Sequence, residues 1–357
     1  MQRVSTAGQR SILLGGELVF LAGLSAFFYS CGRSRREVSR FLVTRGLWLI
    51  FLDFTVLYFG WMMTFRYGWV FLQVVAAIGF GMVCLAGLIH LPRGLQLTLA
   101  LVVLCVHNLL DQARVVGSSV LGALLYGGPF TPVVVEGAPR IWVIYALAPW
   151  AAVLLLGYVA GPVFDKPRGE QRRMLLALGL GATLLFVALR ALDGYGDPTP
   201  MAEHVASAEE AGRHLPMLSV IAFLNTTKYP PSLLYLLMTL GPALLFLALC
   251  PDSPGCLGRA LVQFGRVPLF FYAVHIYLIH LGSRLYYRVT HGEPASAMQT
   301  LFDLFFQQPP KPVPEWFGNG LGTVYVAWLV TVVALYPLCV WYGRLKARGR
   351  SRLWSYL

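Results

Sequence analysis

The chain has 357 residues, of which 57% are hydrophobic and 12% charged, and its formal net charge is +12. Soluble domains run at about 45–50% apolar and about 25% charged. There are too few charges here to make a polar surface, which excludes a soluble enzyme, a disordered chain and a nucleic-acid-binding module. The positive charge sits in short clusters between long apolar runs, the pattern of a polytopic membrane protein.

A bilayer core about 30 Å thick takes about 20 apolar residues as a helix. Runs of that kind fall at 12–31, 46–63, 68–90, 94–110, 141–161, 174–192, 232–250, 267–284 and 321–342. They predict an all-α fold: a polytopic integral membrane helical bundle of about nine transmembrane helices. A weaker run at 117–126 is short and broken by Gly, and reads as a re-entrant or interfacial piece of a loop. The chain then divides into an N-terminal tail (1–11), one transmembrane domain (12–343) and a basic tail (344–357).

Lys and Arg in the flanks set orientation. The clusters Arg33, Arg35, Arg36, Arg40, Arg45; Lys166, Arg168, Arg172, Arg173; and Arg344, Lys346, Arg348, Arg350, Arg352 fall on one side if there are nine spans. Seventeen basic residues then lie on that side and ten on the other. The crowded side is expected to be the cytoplasm, with the C-terminus inside. The long loops, 111–140, 193–231 and 285–320, fall outside and carry Gly, Pro, Tyr and Asp. Polar chemistry is therefore expected at the outer face and a basic surface at the inner face.

The six cysteines lie mostly in or beside spans and read as packing residues. Cys250 and Cys256 offer too few ligands for a zinc site, and no metal is expected. His107 and Asp111 close the fourth run, and four residues leave about 40° of helix rotation, so they share a face. A carboxylate one turn from an imidazole fixes its tautomer and suits it to general-base work; a helix-end cap is the plainer reading. Glu17, Asp53 and Arg190 stand inside apolar runs, where ionisable groups face polar cavities or one another. Arg190 with Asp193 also reads as a pair at a helix end. His275 and His280, five residues apart, do not share a face and cannot chelate one metal as a pair.

Asn225, Lys228 and Tyr229 precede the rigid Pro230-Pro231 that opens the seventh run, either as an interfacial anchor or as ligand contacts. Asp197 sits in the turn Gly194-Tyr-Gly-Asp-Pro198, turn-forming or facing a substrate. The arginines from 33 to 45 serve topology, or seat an anionic cofactor through guanidinium–phosphate forks.

The segments VFLAGLSAFFY, SRREVSRFLVTRGLWLIFLD, HNLLD, RALDGYGDPTP, FLNTTKYPPSLLYLLMTLGPALL and FGRVPLFFYAVHIYLIHL occur in this order. Together they resemble bacterial membrane proteins of the heparan-alpha-glucosaminide N-acetyltransferase catalytic-domain family, over about residues 18–345. The resemblance implies a multi-helix transmembrane acyltransferase of the bacterial inner membrane. It implies acetyl-CoA as cytosolic co-substrate and a sugar or glycan acceptor on the far side, with membrane lipid around the protein. Carried over, Arg35, Arg36, Arg40 and Arg45 would lie near CoA phosphates. Asn225, Lys228, Tyr229 and Asp197 would meet the acceptor.

Family members begin with a helix carrying Asp-x-x-Arg-Gly and then an Asp-His pair. This chain has neither and starts where their second helix starts, and Glu17 stands in a stretch that is usually Cys-Ala-Pro-like. A start placed too far downstream or a diverged, inactive member both account for this. If nothing is missing, His107 is the expected base and Asp111 its orienter. Two rival functions stand beside the transferase: a transporter or lipid-binding protein using Glu17, Asp53 and Arg190, and an inactive family member acting as an assembly partner.

Overall fold

The computed structural model describes residues 15–65, 69–112, 120–127, 132–133, 140–210, 218–251, 253, 255–292 and 320–348. The expected tail 1–11 and the basic tail beyond 348 lie outside the described residues. In chain order the elements are α1 (Gly15–Ser30), α2 (Arg35–Leu52), a π turn (Asp53–Leu57), α3 (Tyr58–Met62), β1 (Trp69–Leu72), α4 (Val74–Leu88) and α5 (Arg93–Gln112). There follow α6 (Val120–Tyr126), β2 (Pro132–Val133), β3 (Arg140–Val143), α7 (Leu147–Ala160), a 3-10 turn (Gly161–Asp165) and α8 (Arg168–Leu192). The remainder is α9 (Met201–Glu210), α10 (Leu218–Leu224), α11 (Leu233–Leu249), α12 (Cys256–Arg266), α13 (Pro268–His291) and α14 (Leu321–Ala347).

The protein is an all-α integral membrane protein. Four helical segments are long and apolar enough to cross a bilayer: Arg35–Met62, Leu147–Asp165, Arg168–Leu192 and Leu321–Ala347. A fifth is the pair α12 and α13, bent by 88°. The other four expected spans are shorter apolar helices, Gly16–Ser30, Val74–Leu88, Arg93–Leu109 and Leu233–Leu249.

Three features depart from the sequence reading. The basic clusters expected in loops lie instead on helix ends. Arg35, Arg36, Arg40 and Arg45 belong to α2, Arg168 opens α8, and α14 runs on to Ala347. The physical cause at α2 is a cap: Ser34 Oγ accepts from Glu37 N at 3.3 Å, so the helix starts eleven residues before the apolar run. Its 28 residues with the π turn and α3 make a rod of ~42 Å, longer than the hydrocarbon core. Second, the apolar runs 68–90 and 141–161 each begin in a strand. β1 pairs parallel with β3, and β3 antiparallel with β2. Third, the weak run 117–126 contains α6, a short helix.

The core is built on α7. Leu147, Trp150, Val153, Leu154 and Leu155 are buried on several sides of it, and α1, α4 and α5 pack against it. Close approach depends on facing glycines. A Cβ on Gly157 would lie 2.0 Å from Phe20 O, and one on Gly23 1.8 Å from Leu154 O. Gly46 of α2 and Gly79 of α4 oppose each other in the same way, at 2.4 and 2.5 Å from the facing carbonyl. With lipid no less apolar than a side chain, such close packing is what holds membrane helices together.

Candidate functional site

Helices α1, α2, α5 and α8 each carry an arginine at or beside one end, and the other ends of α5 and α8 bond to residues between Ala222 and Leu233. These two regions, a basic end and a polar end, are the chemically distinctive parts of the protein.

At the polar end the chain is fastened from three sides. Arg190, the last turn of α8, is 0% exposed. Its guanidinium donates to Phe223 O (3.2 Å), Asp193 Oδ1 and Thr199 O (both 3.3 Å), and Ala222 O and Asn225 O (both 2.9 Å). All five N–H groups are used, and three of the acceptors are carbonyls at the end of α10, which a helix C-terminus leaves unsatisfied. Asp193, left-handed at φ 49°, uses its second oxygen to accept from Met201 N at 2.7 Å.

Asp197 holds the segment that follows α10. Its carboxylate accepts from Thr199 N (3.0 Å), Thr227 N (2.7 Å), Thr227 Oγ1 (2.9 Å) and Ser232 Oγ (2.7 Å). Ser232 in turn caps α11 through Tyr235 N. Asp197, expected in a turn or against substrate, is thus a turn and loop fastener with its oxygens committed.

The third fastening comes from α5. His107 is 1% exposed, with Nε2 2.7 Å from Pro231 O and Nδ1 3.0 Å from Val103 O. Asn108 Oδ1 accepts from Leu233 N at 3.1 Å. The adjacent pair clamps the start of α11. Both ring nitrogens of His107 thus lie against main-chain oxygens. In this geometry the ring expected as a base joins Asn108 in holding the start of α11. The side chain of Asp111, its expected orienter, lies outside the described residues.

Asn225 is held as well, with Nδ2 3.0 Å from His204 Nδ1. Burial, and after it the Arg190 guanidinium, pushes the His204 imidazole below its usual range, against the opposing pull of Asp197, Glu203 and Asp193.

The fastened segment carries Lys228 and Tyr229 inward. The Lys228 ammonium lies 5.1 Å from the Tyr229 ring centre and acts electrostatically on Glu17 of α1. The Tyr229 ring meets Tyr145 edge-on at 5.3 Å, their hydroxyls 3.5 Å apart. Tyr272 of α13 is within electrostatic reach of both Tyr229 and Asp53. Asp53, 1% exposed, opens the π turn and accepts from Gln73 N at 3.1 Å, at the N-terminus of α4. Its Oδ1 and Glu17 Oε2 are buried with no hydrogen-bond partner among the described residues. π turns recur at functional sites, and buried carboxylate oxygens without partners are costly. The structure therefore gathers Glu17, Asp53, Lys228 and Tyr229, all singled out in the sequence, and adds Tyr145 and Tyr272. Tyr145 gave no sequence signal: it is one aromatic among many.

At the basic end a cavity of about 240 Å³ is lined by Arg33, Arg35, Arg93, Gln96, Ser30 and Tyr158, among others. Arg33 stacks 4.2 Å over Tyr29 and donates to Tyr29 O, and Arg35 donates to His90 O at 3.1 Å. Gln96 donates from Nε2 to Leu88 O and Leu91 O, while its buried Oε1 has no partner among the described residues. Of the arginines from 33 to 45 expected at an anion, Arg33 and Arg35 line this cavity. Arg36 and Arg40 are exposed on α2, and Arg45 lies by Tyr342 and Lys346 of α14. Arg93 joins Arg33 and Arg35 in the cavity; in sequence it stands only as an isolated charge between two apolar runs. Among the described residues no group of three or more His, Cys, Asp or Glu is placed to hold a metal ion.

A family model described as heparan-alpha-glucosaminide N-acetyltransferase, catalytic, matches residues 9–192. The match takes in α1 to α8, with the basic cavity, Glu17, Asp53 and the His107 clamp; the segment carrying Lys228 and Tyr229 follows it. No curated protein and no solved structure matches the chain. With over half its length matched, the chain belongs to the heparan-alpha-glucosaminide N-acetyltransferase catalytic-domain family.

Proposed function

We propose that this acetyltransferase-like membrane protein takes an acetyl group from acetyl-CoA bound at its basic end and passes it to a sugar-type acceptor at its polar end. The family supports the acetyl chemistry. The observation that carries the placement is the separation of the arginine-lined cavity from buried Asp53 and the half-buried Glu17, Lys228 and Tyr229. At about 240 Å³ the cavity is small for a whole drug-sized ligand, which fills ~300 Å³ or more, and suits phosphate groups. Arg33, Arg35 and Arg93 supply the forked donors that phosphates take. The basic end then faces the cytosol, where acetyl-CoA is found, and the C-terminus with it.

In this reading Lys228 and Tyr229 hold acceptor hydroxyl or amine groups, and Asp53 is the base. Its carboxylate takes the proton of the acceptor O–H or N–H. The acceptor atom attacks the thioester carbonyl carbon, the C–S bond breaks, and the CoA sulfur leaves with the bonding pair as thiolate. Arg35 and Asp53 stand eighteen residues apart on one helix, ~27 Å, so the carrier arm must lie extended along the bundle. Asn225, Asp197 and His107 are positioning residues that fix the Lys228–Tyr229 segment.

The test is transfer from labelled acetyl-CoA to an amino sugar across proteoliposomes. Asp53→Asn is expected to lower the transfer rate about 10²–10⁴-fold and to leave acetyl-CoA binding intact. Full transfer by that variant would remove Asp53 from the mechanism.

A further inference from the structure

The C-terminal helix holds a second basic site that the transfer reaction does not use. A groove of about 440 Å³ runs along α14, lined by Tyr336, Pro337, Val340, Trp341, Arg344, Leu345 and Arg348. Arg344 and Arg348, one helical turn apart, share its floor. No Asp or Glu occurs between residue 321 and the C-terminus, against five Lys and Arg. On the other face of the helix Lys346, half-buried, feels the Arg45 guanidinium at close range, so cations crowd this end from two elements. Phe264 of α12 meets Tyr336 at 5.8 Å. The 88° bend sets α12 across the direction of α13, with Leu257, Leu261 and Val262 exposed beside Arg259 and Arg266. A helix of that make-up lies in the membrane interface.

Helix length sets the level of the groove. The apolar stretch from 321 to 342 spans ~33 Å, about the hydrocarbon thickness. Arg344 and Arg348 then emerge at the headgroups, with Trp341 in the aromatic belt. Below them the face of α14 is bare and apolar, with Val326, Leu329, Val330 and Val333 exposed. We propose that this groove binds an anionic glycerophospholipid, its phosphate between Arg344 and Arg348 and its acyl chains along α14. Charge complementarity together with an adjoining apolar track selects a lipid over a free anion.

The experiment is native mass spectrometry of the full chain from detergent micelles holding phosphatidylglycerol and phosphatidylcholine in equal mole fraction. The wild type is expected to retain phosphatidylglycerol on the order of tenfold over phosphatidylcholine, and added salt to reduce the ratio. Arg344→Gln with Arg348→Gln is expected to bring the ratio to about one. Arg172→Gln with Arg173→Gln, which removes two exposed charges from α8, is expected to leave it unchanged. Arg344→Lys with Arg348→Lys keeps both charges and is expected to keep most of the preference. Equal retention by the wild type overturns the proposal, and that reading needs no variant to fold. So does an undiminished ratio in the double glutamine variant. Displacement of the lipid by millimolar inorganic phosphate would show a free-anion site. A lipid-independent dimer lost in the glutamine variant would show a second copy on this face.

Discussion

The guanidinium of Arg190 is buried with every N–H on an acceptor. Removing it orphans the carbonyls of Ala222, Phe223 and Asn225 and leaves Asp193 without its cation. Arg190→Ala is expected to destabilise the protein by about 3–5 kcal/mol, read as a lower unfolding temperature in detergent. Arg190→Lys should recover only part, because an ammonium has three donors and no planar fork; full recovery would show that charge alone matters. His204 gives the same region a pH dependence. Its imidazole is held below the ordinary value of about 6.5, so the fold favours the neutral ring. The unfolded chain takes up the proton first as pH falls. The contribution is therefore whole above about pH 6.5 and is lost as pH drops from there through the lower folded value. Unfolding temperature measured from pH ~8 to ~5 should fall more steeply for the wild type than for His204→Gln, and parallel curves would contradict this. The sequence showed Arg190, Asp197 and His107 as unusual residues. It did not show their jobs, since a polar side chain in an apolar run reads alike whether it faces a ligand or a distant carbonyl. His107 meets Pro231 across 124 residues, a contact with no local signature.

Helices were legible where hydrophobic runs were long, and their ends were not. The cap at Ser34, with Glu37 three residues on, was written in the sequence, but charge on the first turns of α2 masked the start of the helix. The strands β1 and β3 were hidden for another reason. Trp69-Val-Phe-Leu and Arg140-Ile-Trp-Val are short apolar stretches joined to apolar helices, and hydropathy alone does not separate the two states. The pairing of helices depends on positions where no side chain fits. Gly157→Ala places a methyl against the main-chain oxygen of Phe20 at 2.0 Å, and α1 and α7 must move apart. The cost is expected to be at least the ~1–3 kcal/mol of ordinary overpacking. Gly169→Ala at the exposed start of α8, where nothing lies within 4 Å, is the control and should be neutral or slightly stabilising. Equal unfolding temperatures for the two variants would rule out close packing at that crossing.

At the scale of the molecule, α1, α2, α5 and α8 carry arginines at or beside one end and the buried polar groups Asp53, His107 and Arg190 or the half-buried Glu17 toward the other. That polarity follows from chain order: α2 and α8 begin in arginines and run toward Asp53 and Arg190, while α1 runs back from Glu17 to Arg33. Composition alone made the membrane class legible, and quoted motifs made the family legible. The arginine cavity was not, because Arg33, Arg35 and Arg93 come from the ends of three different helices that only packing brings together. The central claim is that this cavity receives the phosphates of acetyl-CoA. The most direct measurement is the unfolding temperature of the purified protein with acetyl-CoA, CoA and ATP in turn. A ligand bound only by the folded state at 100 times its Kd stabilises by about 2.7 kcal/mol. The unfolding temperature is expected to rise with acetyl-CoA and CoA by more than with ATP, and the rise to be lost in Arg33→Gln with Arg93→Gln. No rise with acetyl-CoA, or a rise untouched by those substitutions, would contradict it.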